Sequence, residues 1–205
     1  MLTKKGAATR QRIVDAAAAE IRERGINAVT LEDVGRRSGT GKSQLFHYFP
    51  DGKEQLLLAV AEWEATRVLD DQQPFLGRLT SWDAWGQWRD AVVDRYRRLG
   101  THCPLGVLIT EVGRHTPAAQ AVTRQLFEQW RHQVRTGIEH MQDSGDIRRD
   151  LDPDRAASAV VAAIQGGVAI LLATGSAAHL ESALDFCLDH LRGTHSPAQL
   201  STAGR

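Results

Sequence analysis

Five side chains with hydrogen-bonding capacity cluster in one short stretch of the chain: Lys42, Ser43, Gln44, His47 and Tyr48. Glutamine can form a bidentate pair with adenine, lysine can reach guanine or a phosphate, and tyrosine and histidine commonly bond phosphate oxygens. An ordinary solvated helix face would carry the same residue types. The interpretation therefore depends on the elements that position them.

Two short helices joined by a glycine-containing turn are predicted around this cluster. Thr30 is a good N-cap and Asp33 stands at the third helical position, a variant of the capping box, which predicts a helix over about 31–38. The sequence Gly-Thr-Gly must then turn, and a second helix follows over 42–49. This order is the helix-turn-helix pattern, in which the second helix lies in the major groove and presents polar side chains to base edges.

Helical periodicity continues along the rest of the chain, and strand patterns are nearly absent. The sequence therefore predicts an all-α fold of about nine helices. The other helices are expected at about 9–24, 53–69, 81–99, 105–113, 117–142, 153–173 and 177–192. We expect an N-terminal helix-turn-helix domain of three helices over residues 1–52, joined by a long helix to a C-terminal helical bundle domain over residues 53–205. Residues 1–8 and 194–205 are expected to be frayed tails.

The composition is that of a folded globular chain. The 205 residues are 42% hydrophobic and carry 25 Lys and Arg against 25 Asp and Glu, which excludes the low hydrophobicity and high net charge of a disordered protein. No uninterrupted apolar run is long enough to span a membrane, and no apolar stretch follows the basic start as it would in a signal peptide. The two cysteines are too few for a disulfide framework. We therefore expect a cytoplasmic protein with no membrane partner.

The neutral total conceals an uneven distribution of charge. Residues 1–50 hold nine Lys and Arg against five Asp and Glu, whereas residues 51–205 hold 16 against 20. A basic N-terminal region is typical of one that meets a polyanion, although a solvated surface would carry the same charge.

A family resemblance extends over about residues 9–60, in the run TRQRIVDAAAAEIRERGINAVTLEDVGRRSGTGKSQLFHYFPDGKEQLLLAV. This run resembles the DNA-binding domain of the TetR family of bacterial transcriptional regulators. Gly25 after the first helix, Thr30 before the second, Gly39 in the turn, and the sequence LFHYF followed by Lys53-Glu54 fall at matching places. The later segment Cys103-Pro104-Leu105-Gly106 also resembles one in the ligand domain of the drug-responsive branch of this family.

The resemblance implies a ligand-responsive regulator that binds a palindromic operator in double-stranded DNA as a homodimer. We expect a repressor that is released by a small-molecule effector of apolar or aromatic character. Two departures from the family pattern occur: Thr40-Gly41 replaces the usual Val-Ser, and Phe46 replaces a frequent tyrosine. We expect phosphate contacts from Thr30, Lys42, His47, Tyr48 and Lys53, and base contacts from Ser43 and Gln44.

Members of this family dimerise through a four-helix bundle made from their final two long helices. The corresponding predicted helices of this chain carry apolar rows, which could also simply close the core of one chain. The predicted dimer-interface residues are Val160, Ile164, Val168, Leu171, Leu184, Leu188 and Leu191.

Most aromatic residues lie between positions 63 and 130. Aromatic residues at helical spacing usually fill a core. A pocket between helices, lined by aromatic side chains and a few polar groups, is nevertheless the usual form of a small-molecule site. The candidate ligand-binding residues are Trp63, Trp85, Trp88, His102, Phe127 and Trp130.

No constellation in the sequence supports catalysis. Two pairs four residues apart, Glu111 with His115 and Glu128 with His132, could act as metal ligands, but helix ion pairs at that spacing are much more common. We therefore expect no enzyme activity, no metal site and no cofactor.

The segment from Gly39 to Ser43 is similar to the end of a phosphate-binding loop, but the required earlier glycine is replaced by Arg36, and a helix precedes the segment instead of a strand. The alternative to a regulator is a small-molecule binding or sequestering protein whose helix-turn-helix is vestigial. Binding to the DNA that flanks its own coding region would separate the two.

Overall fold

Eight α-helices form the part of the chain that the structure, a computed structural model, describes: residues 3–102 and 117–193. They are α1 (Lys4–Arg24), α2 (Leu31–Ser38), α3 (Lys42–Tyr48), α4 (Lys53–Asp70), α5 (Trp82–Leu99), α6 (Pro117–Ser144), α7 (Pro153–Thr174) and α8 (Ala178–Arg192). Short 3₁₀ helices at Leu76–Arg78 and Gly100–His102 follow α4 and α5, and the described residues include no strand. The predicted all-α fold is confirmed. The helix predicted at 105–113 lies outside the described residues.

The first helix begins earlier than the sequence pattern indicates. The Thr3 hydroxyl accepts a hydrogen bond from the N–H of Gly6 at 3.1 Å, so Thr3 caps a helix that starts at Lys4. The expectation that residues 1–8 fray is therefore wrong from Lys4 onward. An N-terminal cap satisfies backbone donors that would otherwise favour unwinding.

Two hydrophobic cores divide the molecule, and α4 contributes to both. The head core contains side chains of α1, α2, α3 and the first half of α4, as far as Ala61. The body core begins at Ala65 and includes side chains of α5, α6, α7 and α8. Val122 of α6 packs against both cores. The cores thus meet within α4, which connects the head to the body.

The penultimate helix, α7, is long and apolar enough to cross a membrane by length and composition alone. Ser158, Gln165, Gly166 and Gly167 interrupt its apolar residues, so it is not an uninterrupted apolar run. One face of α7 is nevertheless buried in the body core, where the helix packs against α6 and α8. A helix that is apolar nearly all round, and buried on one side, still has an apolar face to cover.

Candidate nucleic-acid interface and ligand-binding body

The connection from α2 to α3 is a tight turn that requires glycine at two places. Gly39 has a φ of 64°, a left-handed conformation that glycine adopts without steric cost. The N–H of Thr40 donates to the carbonyl of Gly35 at 2.9 Å, and a Cβ on Gly35 would lie 2.9 Å from the carbonyl oxygen of Thr40. Any side chain at residue 35 would therefore displace the turn and the helix that follows it.

The start of α2 is closed by the predicted pairing of Thr30 with Asp33. The N–H of Asp33 donates to the Thr30 hydroxyl at 3.2 Å, and the Thr30 N–H donates to the Asp33 carboxylate at 3.2 Å. The Thr30 hydroxyl also donates to that carboxylate at 2.6 Å. This hydrogen bond, followed by the contact with Arg24 at 2.9 Å, lowers the pKa of Asp33 to about 2. The hydroxyl proton and the backbone N–H of Thr30 are thus both engaged within the head, so a phosphate at this end of α2 would be met by the N–H groups of the first helical turn that follows Thr30.

A hydrogen bond and ion pairs between α1 and α2 hold the helix-turn-helix in place. Arg12 Nε donates to the carbonyl of Ser38, at the end of α2, over 2.9 Å. Arg37 of α2 pairs with Glu20 of α1 at 2.7 Å and also with Glu23. The end of α2, where the turn begins, is therefore bonded to α1, which limits the movement of the turn.

The recognition helix, α3, divides cleanly into a buried and an exposed face. Leu45 is 2% exposed and the adjoining Phe49 is fully buried, so this pair, four residues apart, anchors the helix. Tyr48 is half-buried and meets His47 edge-on, with ring centroids 5.0 Å apart. The exposed polar side chains are Lys42, Ser43, Gln44 and His47. The structure thus brings the predicted contact residues of α3 together on one outward surface.

A groove with a volume of about 760 Å³ lies between α2 and α3, next to the exposed face of α3. Arg36 and Lys42 lie on it beside the apolar Leu31, Leu45 and Phe46. The Arg36 side chain is 71% exposed and pairs with Asp33 at 3.2 Å. Arg36 was not among the predicted contact residues, although it is a basic residue in the last turn of the helix that precedes the turn.

Lys53, the remaining predicted phosphate contact, has a partner inside the head. Its ammonium group donates to the carbonyl of Ile26 at 3.1 Å, and its side chain is half-buried. This bond ties the start of α4 to the loop between α1 and α2. Since an ammonium group has three donors, the bond leaves two of them for other acceptors.

Three of the four tryptophans predicted to line a ligand pocket are completely buried in the body core: Trp85, Trp88 and Trp130. Trp85 and Trp88 meet edge-on with centroids 5.6 Å apart, and the Trp88 indole N–H donates to Gln72 at 2.8 Å. The indole N–H groups of Trp85 and Trp130 are buried and have no hydrogen-bond partner among the described residues. A buried donor without a partner is costly, so these two groups are potential points of attachment for an acceptor.

The other three candidates lie in different places. Trp63, on α4, is half-buried against the head core, and the guanidinium carbon of Arg67 lies 4.8 Å from its ring centroid. Phe127 is half-buried against the body core. The backbone of His102 belongs to the second 3₁₀ helix, and its side chain lies outside the described part of the chain. Two cavities of the body formed by described residues, of about 270 and 290 Å³, are lined by other residues.

The seven predicted dimer-interface side chains are buried within a single chain. None of them is more than 5% exposed, so they form the contact between α7, α8 and the rest of the body core. The exposed apolar surface of these helices lies on the opposite face, where Ile170 is 38% and Phe186 is 59% exposed. The other exposed residues on that face of α7 are small: Ala159, Ala162, Gly166, Ala169 and Ala173. The predicted interface residues are the large apolar residues of α7 and α8, whereas the outward face of α7 carries a stripe of small residues.

Comparison with known proteins places both regions in one family. Residues 13–60 match the family "Bacterial regulatory proteins, tetR family". Residues 83–187 match the family "Tetracyclin repressor-like, C-terminal domain". An uncharacterized HTH-type transcriptional regulator of Mycobacterium tuberculosis is 32% identical over 133 residues, which cover 59% of this chain. The chain spans about 64% of the length of this curated relative.

Two further similarities cover more of the chain. The HTH-type transcriptional repressor DhaR of Mycobacterium sp. strain GP1 is 26% identical over 171 residues, covering 78% of this chain and 80% of DhaR. The crystal structure of a TetR transcriptional regulator from Chloroflexus aurantiacus superposes with a TM-score of 0.75 at 25% identity, covering 92% of this chain and 96% of that one. The two family matches fall on the head and the body described above, and the chain belongs to the tetR family of bacterial regulatory proteins.

Proposed function

We propose that this protein is a DNA-binding transcriptional repressor of the cytoplasm, which binds a palindromic operator as a homodimer and releases it when a small molecule binds to the body. The observation that carries the proposal is the outward polar face of α3, anchored from below by Leu45 and Phe49. A helix held in this way can enter a major groove without any rearrangement of the head.

The polar groups of the head divide into two roles. Gln44 and Ser43 read base edges, because amide and hydroxyl groups match the donors and acceptors of the major groove. Lys42, His47, Tyr48 and Lys53 contact phosphates and set the position of the helix on the duplex. Thr30 contributes through the N-terminus of α2, since its hydroxyl already donates to Asp33.

The outward face of α7 and α8 forms the dimer interface. Ile170 and Phe186 are large apolar side chains exposed beside the small residues of α7, which allow a second helix to approach closely. A two-fold axis through this face gives an isologous contact, in which each helix pairs with its own copy. Two recognition helices related by such an axis can read two half-sites about one helical turn of DNA apart, roughly 34 Å.

A small molecule that binds the body would act on DNA binding through α4, which contributes to both cores. The orphan indole N–H groups of Trp85 and Trp130 support a ligand with acceptor atoms in that region. If the ligand favours a body shape with the wrong separation of the two recognition helices, the ligand and DNA weaken each other by the same factor. The match of the body to a tetracyclin repressor-like C-terminal domain and the similarity of the chain to the repressor DhaR support this mode of action.

The test is binding of the purified chain to DNA that flanks its own coding region. After a protected site has been located by footprinting, fluorescence anisotropy compares wild type with Gln44→Ala and with Gln129→Ala. Gln129 is an exposed glutamine of α6 and serves as the matched control. Gln44→Ala should lose about 1–3 kcal/mol of binding free energy on the specific site, with little loss on scrambled DNA.

Two outcomes would contradict this assignment. An equal loss on specific and scrambled DNA would remove Gln44 as a base reader. Failure of the wild-type protein to bind any flanking fragment, while it still binds small molecules, would favour the sequestering protein with a vestigial helix-turn-helix.

A further inference from the structure

A positively charged cavity lies between the last turns of α4 and α5. It has a volume of about 290 Å³ and is lined by Arg67, Asp71, Arg95, Arg98 and Leu99. Three guanidinium groups thus face one carboxylate and one aliphatic side chain. The volume is at the lower end of the range for small-molecule sites.

Arg95 is the most unusual of these residues because its charge is buried. It is 4% exposed, and one terminal nitrogen donates to Asp71 at 2.8 Å. Its Nε is buried and has no hydrogen-bond partner among the described residues. A buried guanidinium group is favourable only when its donors are satisfied, and here Asp71, itself 34% exposed, satisfies part of the set.

The other two arginines retain unused capacity. Arg98 is exposed and forms no ion pair with any described residue. Arg67 lies over the Trp63 ring and approaches Asp71 only to 3.9 Å. Basic residues in the last turn of a helix often stabilise the helix dipole, which accounts for their presence. That effect does not account for a buried arginine with an orphan Nε at the wall of a cavity.

We propose that this cavity binds a small organic carboxylate, with the carboxylate held by Arg95 and Arg98 and its hydrocarbon part against Leu99. The planar guanidinium fork matches a carboxylate in a bidentate arrangement, and the excess of positive charge disfavours a cation or an uncharged amine. The inference rests on the proposed function, since it names the chemical class of the effector.

The cavity is connected to the head through α4. Glu64 lies one turn before Arg67, is 2% exposed, and pairs with Arg22 of α1 at 3.5 Å. Arg95 and Arg67 also act electrostatically on Glu64. A carboxylate bound to Arg95 offsets part of the positive charge that acts on Glu64, and so alters the contact between α4 and α1.

The test is a titration of the free protein, followed by the ¹⁵N-resolved arginine Nε–H signals, with sodium benzoate as the probe at constant ionic strength. Benzamide, which has nearly the same shape without the charge, and inorganic phosphate are titrated in parallel. Benzoate should shift the Arg95 signal saturably and benzamide should not. Arg98→Gln should weaken benzoate binding by about tenfold, the loss expected for one charge-assisted hydrogen bond.

Arg97→Gln is the matched control, because Arg97 lies on the same helix and pairs with Glu181 at 2.9 Å outside the cavity. Arg98 is exposed, so its variant tests the site without the folding risk of replacing the buried Arg95. The proposal is overturned if benzoate gives no saturable shift, if benzamide or phosphate alone gives one, or if Arg97→Gln weakens binding as much as Arg98→Gln. These measurements contain no DNA, so a wild-type protein that fails to bind DNA would contradict the proposed function and leave the carboxylate site standing.

Discussion

The head and the body present their polar groups in opposite ways. In the head, polar side chains project outward from a short helix that two buried residues, Leu45 and Phe49, hold in place. In the body, the buried polar atoms of the described residues that lack a hydrogen-bond partner include the indole N–H groups of Trp85 and Trp130 and the Nε of Arg95. Donors on an exposed helix suit a groove in a large partner, whereas inward donors suit a small ligand that the protein surrounds.

The buried carboxylates of the two regions show the same contrast. Hydrogen bonds from Thr30 and the charge of Arg24 lower the pKa of Asp33 in the head. Burial raises the pKa of Glu64 where α4 enters the body, although Arg22, Arg95 and Arg67 oppose that rise. The head thus stabilises a carboxylate by satisfying it locally. The body leaves one incompletely satisfied, which makes that position sensitive to nearby charge.

The largest effect is expected from a variant that disrupts the proposed dimer interface of the body and leaves the predicted DNA-contacting residues of the head unchanged. Phe186→Glu places a charge on the exposed apolar face of α8 and should convert the dimer into a monomer. DNA affinity should then fall by at least about tenfold, because the second half-site is no longer held at high effective concentration. Sedimentation and anisotropy measure the two effects, with Phe186→Leu as the control. A dimer that persists in Phe186→Glu would place the interface elsewhere.

A second comparison uses one glycine from each region. Gly35→Ala should cost about 1–3 kcal/mol of stability, since its Cβ meets the backbone of Thr40 and the shift misplaces α3. Gly86→Ala on α5 meets nothing within 4 Å and should stabilise its helix by up to about 1 kcal/mol. Urea unfolding and DNA anisotropy give both values. If Gly35→Ala keeps full affinity and stability, the turn is less constrained than its geometry indicates.

The two carboxylates predict opposite dependences of stability on pH. Asp33 has a lowered pKa, so its contribution is present above its unfolded value near 4 and is lost as the pH falls toward about 2. Asp33→Asn should therefore be less stable than wild type at pH 7, by a difference that shrinks below about pH 4.

Glu64 has a raised pKa, so its contribution to stability is present at low pH and is lost as the pH rises. Glu64→Gln should match wild type in acid and exceed it at pH 8, as measured by denaturant midpoints. Parallel curves for the two variants would contradict the contrast.

The head was predictable from sequence because its determinants are local. The Thr30 cap, the left-handed Gly39 and the Leu45–Phe49 anchor all depend on residues a few positions apart. The internal bond of Lys53 to Ile26 was not predictable, since its partner lies 27 residues away in sequence. Local patterns thus fix which face of α3 points outward, and longer-range packing decides which of its neighbours remain available.

The body was less predictable because large apolar residues serve a core and an interface equally well. Leu184 and Phe186 lie on the same helix, yet one is buried and the other is 59% exposed. Only the packing of α8 against α7 distinguishes them, through contacts as close as that of Gly167 with Leu180. The arginine cavity likewise combines α4 and α5, whose contributing residues are separated by 24 positions at Asp71 and Arg95. No short sequence motif records such a combination.

The smallest expected effect distinguishes two lysines of the head. Lys42 is exposed at the start of α3, whereas Lys53 already donates to Ile26. Lys42→Ala should flatten the slope of log affinity against log salt by about one, the effect of one lost phosphate contact. Lys53→Ala should flatten this slope less, because the wild-type Lys53 ammonium group already donates a hydrogen bond to the carbonyl of Ile26. The loss of that bond should also lower the stability of the head. Equal slopes for both variants would show that Lys53 contacts phosphate as fully as Lys42. An unchanged slope for Lys42→Ala would place the N-terminus of α3 away from the DNA backbone.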